Sequence, residues 1–109
     1  MGVKREVRLS DSFRAEAAVH FPPGGSIDGK PPWEMFEKGP LRAAIQAFGE
    51  DFEGNAIAYD PVRIVQMPPT VFFPPMTIYA ILVEDWVEIM SIDVDSDYFG
   101  RINDPDDWP

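Results

Sequence analysis

The chain has 109 residues, 45% of them hydrophobic, and carries 19 Asp and Glu against 9 Lys and Arg, a formal net charge of −10. That is apolar material for one small core, which argues against intrinsic disorder, while the charge argues against non-specific nucleic-acid binding by the molecule as a whole. There is no cysteine, which excludes disulfide scaffolds, Cys-type zinc sites and thiol catalysis, and no apolar run approaches the roughly 18 residues that span a bilayer.

The first residues are charged (Lys4, Arg5, Glu6) with no apolar stretch after them, so no secretory signal is visible and a cytoplasmic location is expected. Val3–Leu9 alternates as a strand, with Arg5 interrupting its apolar face. Ser10-Asp11-Ser12 supplies helix-capping side chains, and Phe13–Val19 is expected as a two-turn helix burying Phe13 and Ala17. Pro22-Pro23-Gly24-Gly25 ends it, and residues 26–31 read as loop. Pro31-Pro32-Trp33 starts a second helical segment, which Gly39-Pro40 punctuates. From Pro40 to Phe48 the helix pattern is clearest: Leu41, Ala44, Ile45 and Phe48 share one face, with Gly49 placed as the residue after the helix.

Beyond Gly49 the chain turns to β-branched and aromatic residues. Ala56–Tyr59, Val62–Met67, Thr70–Phe73, Met76–Val83 and Val87–Val94 all suit strands. Pro68-Pro69 and Pro74-Pro75 bracket Thr70–Phe73, which makes that piece an edge strand or a bulged loop. Glu84-Asp85-Trp86 suits a hairpin turn. In the last strand Val87 and Ile89 share a face with Ser91 and Asp93, whereas Met90, Ile92 and Val94 share the other with Glu88. The apolar face therefore switches partway, or both faces are partly covered. The coarse order is β-α-α-β-β-β: an α+β domain over residues 1–100, with a small, largely antiparallel sheet, helices on one face, and an acidic C-terminal tail at 101–109.

Charge is uneven along this plan. Residues 1–42 hold seven basic and six acidic side chains, whereas residues 43–109 hold two basic and thirteen acidic ones, a net of −11. Asp93, Asp95 and Asp97 alternate, so in strand geometry they lie on one face as a negative comb able to meet a basic partner. The same spacing opens a calcium loop, but the sixth position is Tyr98 instead of Gly, the twelfth is Asp104 instead of Glu, and no helices flank it; no metal site is expected. Trp86 is a candidate interface anchor. The single histidine, His20, has neither a Cys nor a second His as companion and suits the last turn of a helix. No residue pattern calls for a cofactor. Carboxylate acid–base catalysis would need a pocket that sequence cannot display.

The order of elements resembles the RelE/ParE superfamily of small toxins from bacterial toxin–antitoxin pairs. The likeness is best in the final hairpin, Thr77–Ile92, with Asp97-Tyr98 after it, and in Val7-Arg8-Leu9-Ser10 leading into a helix. It covers about residues 3–99. The resemblance implies a toxin-like α+β domain that pairs with a cognate protein. Ribonucleases of that family carry basic residues on the sheet to hold RNA phosphates. Here Asp93 and Asp95 stand at the end of the last strand, and only Arg63 and Tyr98 carry over as candidate catalytic residues. The expectation is therefore a toxin-like protein acting through protein–protein contact without the usual ribonuclease site, with a basic protein as partner. The alternative is an acidic module that masks a basic site on another protein.

Overall fold

The computed structural model describes residues 4–27, 29–54, 57–59 and 61–99. The acidic tail at 101–109, with Trp108, and the expected strand residue Ala56 lie outside them. Five strands form one sheet: β1 (Val7–Leu9), β2 (Ile57–Tyr59), β3 (Val62–Met67), β4 (Met76–Val83) and β5 (Trp86–Val94), in the spatial order β1-β5-β4-β3-β2. β2 through β5 pair antiparallel in sequence order, and β1 joins the far edge parallel to β5, with Val7, Arg8 and Leu9 opposite Val87, Glu88 and Ile89. The α+β class holds, and the sheet is mixed because the chain must cross over through its helices to bring β1 beside β5.

The first helix, α1 (Asp11–His20), begins where the cap predicts: Ser10 Oγ accepts the Phe13 N–H at 3.0 Å. The second and third, α2 (Trp33–Phe36) and α3 (Arg42–Glu50), run on through a π-helical turn at Glu37–Leu41. Gly39-Pro40 therefore widens the helix instead of ending it. Proline has no N–H to give and crowds the preceding turn, and a wider turn absorbs both effects. Gly49 lies inside α3, not after it. Its missing side chain is needed because a Cβ there would meet the Arg5 carbonyl and Val7 Cγ2, each at 3.2 Å. β1 passes across this point, where the Arg5 N–H donates to the Gly49 carbonyl at 2.8 Å. Of the strand expected over Val3–Leu9, Val3 lies outside the described residues, residues 4–6 are not strand, and the strand is Val7–Leu9.

All the fully buried helix side chains meet one face of the sheet. Phe13, Ala17, Phe36, Leu41, Ala44 and Phe48 join Met76, Ile78, Ala80, Val87, Ile89 and Ile92 in a single core. Six phenylalanines are buried, and Phe21 stacks on Phe36 with ring centroids 4.4 Å apart. Burial of each such side chain contributes roughly 1.5–3 kcal/mol. Thr70–Phe73 is not a strand. Thr70 Oγ accepts the N–H groups of Phe72 and Phe73, and the Thr70 N–H donates to the Phe73 carbonyl, closing a tight loop between the two proline pairs.

The switch of apolar face in β5 has a local cause. Ser91 pairs with Tyr79 and Ile89 with Ala80, leaving Met90 as an extra residue in a β-bulge. Val87 and Ile89 face the helices before it, and Ile92 and Val94 face them after it. The turn before β5 is two residues long, with Glu84 in the left-handed region at φ 53°, and Trp86 is already the strand residue opposite Val83.

Candidate functional site

Opposite the helices, the sheet presents a second face. By register it carries Val62 and Ile64 of β3, Tyr79, Ile81 and Val83 of β4, and Trp86 of β5. All six are half-buried, and every fully buried helix side chain lies on the other side. A shallow hollow of about 450 Å³ lies on this face, lined by Val62, Tyr79, Ile81, Met90, Ser91 and Asp93. A second, of about 680 Å³, opens where β3, β4 and β5 end, among Gln66, Pro68, Thr77, Asp93 and Asp95. Asp93 borders both hollows. The same register places Glu88 beside Ile81 and Arg8 beside Glu88, so the apolar patch of β3 and β4 is flanked by charge on β5 and β1 as well as by Asp93 at its end.

Asp93 is held in place. Tyr79 Oη donates to its Oδ2 at 2.7 Å, and that bond pushes the Tyr79 phenol above its ordinary value, since losing its proton would set two negative charges side by side. At the sheet's edge, α1 occupies the part of β5 that short β1 leaves unpaired. The Ser10 N–H donates to the Ile89 carbonyl, Ser12 Oγ to the Met90 carbonyl, and Ser91 Oγ to Glu16. The bulge is therefore pinned from outside the sheet, and so is the direction of Ser91 and Asp93.

Trp86 lies on the open face, with the Arg8 guanidinium 4.0 Å above its ring. Its indole N–H is buried and has no hydrogen-bond partner among the described residues. β5 ends at Val94; the Asp95 N–H still bonds in register to the Pro75 carbonyl, and Asp95 borders the same hollow as Asp93, whereas Asp97 lies in the turn at Ser96-Asp97 that follows. Only Asp93 of the three stands on the strand. Among the described residues no three His, Asp or Glu side chains stand close enough to hold a metal ion.

Arg63 and Tyr98 are not brought together. Arg63 pairs with Ala80, a buried residue, so it lies on the helix side of the sheet, its guanidinium 5.4 Å from the Phe52 ring. Tyr98 follows the end of β5, which is level with Met67 and packs edge-on against Phe99. Four residues of β3 separate Arg63 from that level, about 13 Å along the strand. His20 ends α1, but Lys30 is the residue that reaches the helix's terminal carbonyls, its Nζ donating to Val19 O at 3.1 Å. Among the described residues no helix is long and apolar enough to cross a membrane.

Trp86 and Asp93, both singled out from sequence, lie on this face; Val62, Ile64, Tyr79, Ile81 and Met90 were not legible from sequence as a surface. Alternation in β4 separates Tyr79 and Ile81 from Ile78 and Ala80, but it does not say which set the helices cover. Compared with known protein families, curated proteins and solved structures, the chain shows no significant match.

Proposed function

We propose that this chain acts through protein–protein contact made by the open face of its sheet, as the toxin-like member of a bacterial toxin–antitoxin type pair. One observation carries the contact: an apolar surface of Val62, Ile64, Ile81 and Met90 runs into a fixed carboxylate at Asp93. Uncovered apolar surface of this kind marks interaction sites. The partner's complementary chemistry is an amphipathic segment whose apolar side chains cover Ile81 and Met90, and whose Lys or Arg side chains reach Asp93 and Asp95. An acceptor on that segment would also serve the unpartnered Trp86 N–H once Arg8 swings aside. The toxin-like part rests on the order of elements and on the final hairpin.

The chemistry favours contact over catalysis. Arg63 faces the core side and Tyr98 stands at the far end of the sheet, so the two residues that the resemblance carries over share no site. The test is co-expression with the product of the neighbouring gene. A stable complex is expected, with growth arrest by this chain alone and relief by the partner, and Ile81→Lys should abolish the complex while leaving the circular dichroism spectrum intact. No complex and no effect on growth would overturn the reading. A complex that survives Ile81→Lys would move the contact off this face.

A further inference from the structure

Away from the sheet's open face, a pocket of about 310 Å³ lies between the end of α1 and the turn after β5. Its walls are aromatic and proline rings: Phe21, Pro31, Phe72, Pro74 and Phe99. The ionisable side chains among its lining residues are His20 and Lys30. In a chain of net charge −10 that is a reversal of sign, and the hollows of the open face are bordered by Asp93 and Asp95 instead.

The pocket's walls are anchored. Phe73 is buried and meets Phe21 edge-on at 5.7 Å, so the loop closed by Thr70 sets its neighbour Phe72, 63% exposed, at the rim. Lys30 is fixed at both ends. Its N–H donates to Ser26 Oγ at 3.2 Å, and its Nζ donates to the Val19 carbonyl at 3.1 Å. Gly29, at φ 86°, makes the turn that brings it there. The contact with Val19 offsets the partial negative charge of the helix end, which would otherwise repel an anion. An ammonium group has three donors, so two remain for a ligand. A cation whose position is fixed before binding costs a ligand little ordering entropy.

We propose that this pocket binds a small aromatic carboxylate, with the ring between Phe72, Phe99 and the prolines and the carboxylate on Lys30 and His20. The volume sits at the lower end of ligand sites, which suits a single ring with a short acid arm. Phosphate or sulfate alone would leave the ring walls unfilled, and a neutral ring would leave the Lys30 ammonium unused. The site is separate from the open face, so it stands or falls independently of the proposed function.

The probe is phenylacetate, titrated into the isotope-labelled full chain and followed by amide chemical shifts, with 2-phenylethanol and 2-phenylethylamine as neutral and cationic counterparts. A dissociation constant of order 1 mM is expected for phenylacetate, as for a ligand with so few atoms. Shifts should centre on Lys30, Phe72 and Phe99, with at least roughly tenfold weaker binding of the alcohol and weaker still of the amine. Lys30→Met should weaken phenylacetate at least about tenfold, and Phe72→Ala, an exposed position that leaves α1's end untouched, should weaken it several-fold. Equal binding of all three probes, shifts centred on Tyr79 and Ile81, unchanged affinity in Phe72→Ala, or no binding at about 20 mM would each overturn the proposal.

Discussion

β4 and β5 supply both faces of the sheet, and the two faces differ in what completes them. On the inner face Met76, Ile78, Ala80, Val87, Ile89 and Ile92 meet buried phenylalanines and are closed off from solvent. On the outer face Tyr79, Ile81 and Met90 are nearly as apolar, yet they are only half-buried and line an open hollow. The inner set has reached its partners within the chain, and the outer set has not. A sheet face meant to be wet normally alternates apolar with polar residues; β5 does so with Glu88, Ser91 and Asp93, whereas Val62, Ile64, Tyr79 and Ile81 on β3 and β4 form an apolar patch beside them, the part of the face that a partner would cover. Charge sharpens the contrast: Asp93 stands on the outer face, whereas among the described residues no charged side chain is fully buried within the core.

The largest effect expected is on the device that separates the faces. Met90 is the extra residue of the bulge, so deleting it leaves unbroken alternation, with Val87, Ile89, Ile92 and Val94 all still inward. That variant should fold, with shifts confined to the Ser10 and Ser12 contacts at the bulge. Deleting Tyr79 from β4, where alternation is already regular, sends either Met76 and Ile78 or Ala80 to the wrong face. Losing two such core side chains at about 2–5 kcal/mol each exhausts most of a domain's usual stability of about 5–15 kcal/mol, so that variant should not fold. Equal behaviour of the two deletions in chemical denaturation would show that the bulge is not what assigns the faces.

Single substitutions come next. Phe21→Ala removes the ring stacked on Phe36 and in contact with Phe73, and should cost about 3–5 kcal/mol in urea denaturation. Ile81→Lys on the outer face should cost about 1 kcal/mol or less, while abolishing partner binding. A cost for Ile81→Lys that approached the Phe21→Ala value would mean that the outer face is packed within the chain after all.

Much of the inner face is legible in sequence. The 3.6-residue spacing of Leu41, Ala44 and Phe48, the Ser10 cap and the boundaries of β3 and β4 follow from local pattern and side-chain chemistry. What local pattern could not supply was pairing at a distance. Nothing in Val7–Leu9 says that it runs parallel to β5, and the face switch after Ile89 fits a bulge or a strand covered on both sides until Tyr79 is seen opposite Ser91. The acidic comb is cut short for a similar reason. Alternation of Asp93, Asp95 and Asp97 presumes a continuing strand; the Asp95 N–H still bonds to Pro75 opposite it, but proline has no N–H to return, and the chain turns at Ser96-Asp97. The Lys30 pocket was invisible because its parts come from four separate segments.

Tyr79 offers a subtler probe of the outer face. Its phenol is raised from the ordinary value of 10.0, first by the hydrogen bond to Asp93 and then by burial. A raised acid stabilises the fold below the unfolded value and loses that contribution as pH climbs through the folded value. Asp93→Asn should therefore bring the Tyr79 titration, read by ultraviolet absorbance, back toward 10.0 and reduce the alkaline loss of stability. A partner that covers the face should raise the Tyr79 titration further, by desolvating the phenolate. An unmoved titration in Asp93→Asn would remove the argument that Asp93 is fixed by Tyr79.

The smallest effect belongs to neither face but to the sheet's edge. Arg5 Nη1 donates to Glu53 Oε2 at 2.8 Å, tying the approach to β1 to the segment after α3, beside the Arg5 N–H bond to Gly49. The bond from Arg5 is the chief cause that holds the Glu53 carboxyl below its ordinary 4.5. A lowered carboxylate contributes stability that is fully present above the unfolded value and disappears as pH falls through the folded one. Glu53 is well exposed, so water and salt screen the pair and the gain is slight. Its effect should be local. Below the ordinary Glu53 value the amides of Arg5 and Val7 should exchange faster, while those of Ile78 and Ile89 in the core stay protected. Arg5→Ala should show that faster exchange already at neutral pH and gain little more from acid. If acid instead loosened β1 and the core together, β1 would belong to the same cooperative unit as the inner face, and the edge would be no weaker than the sheet it closes.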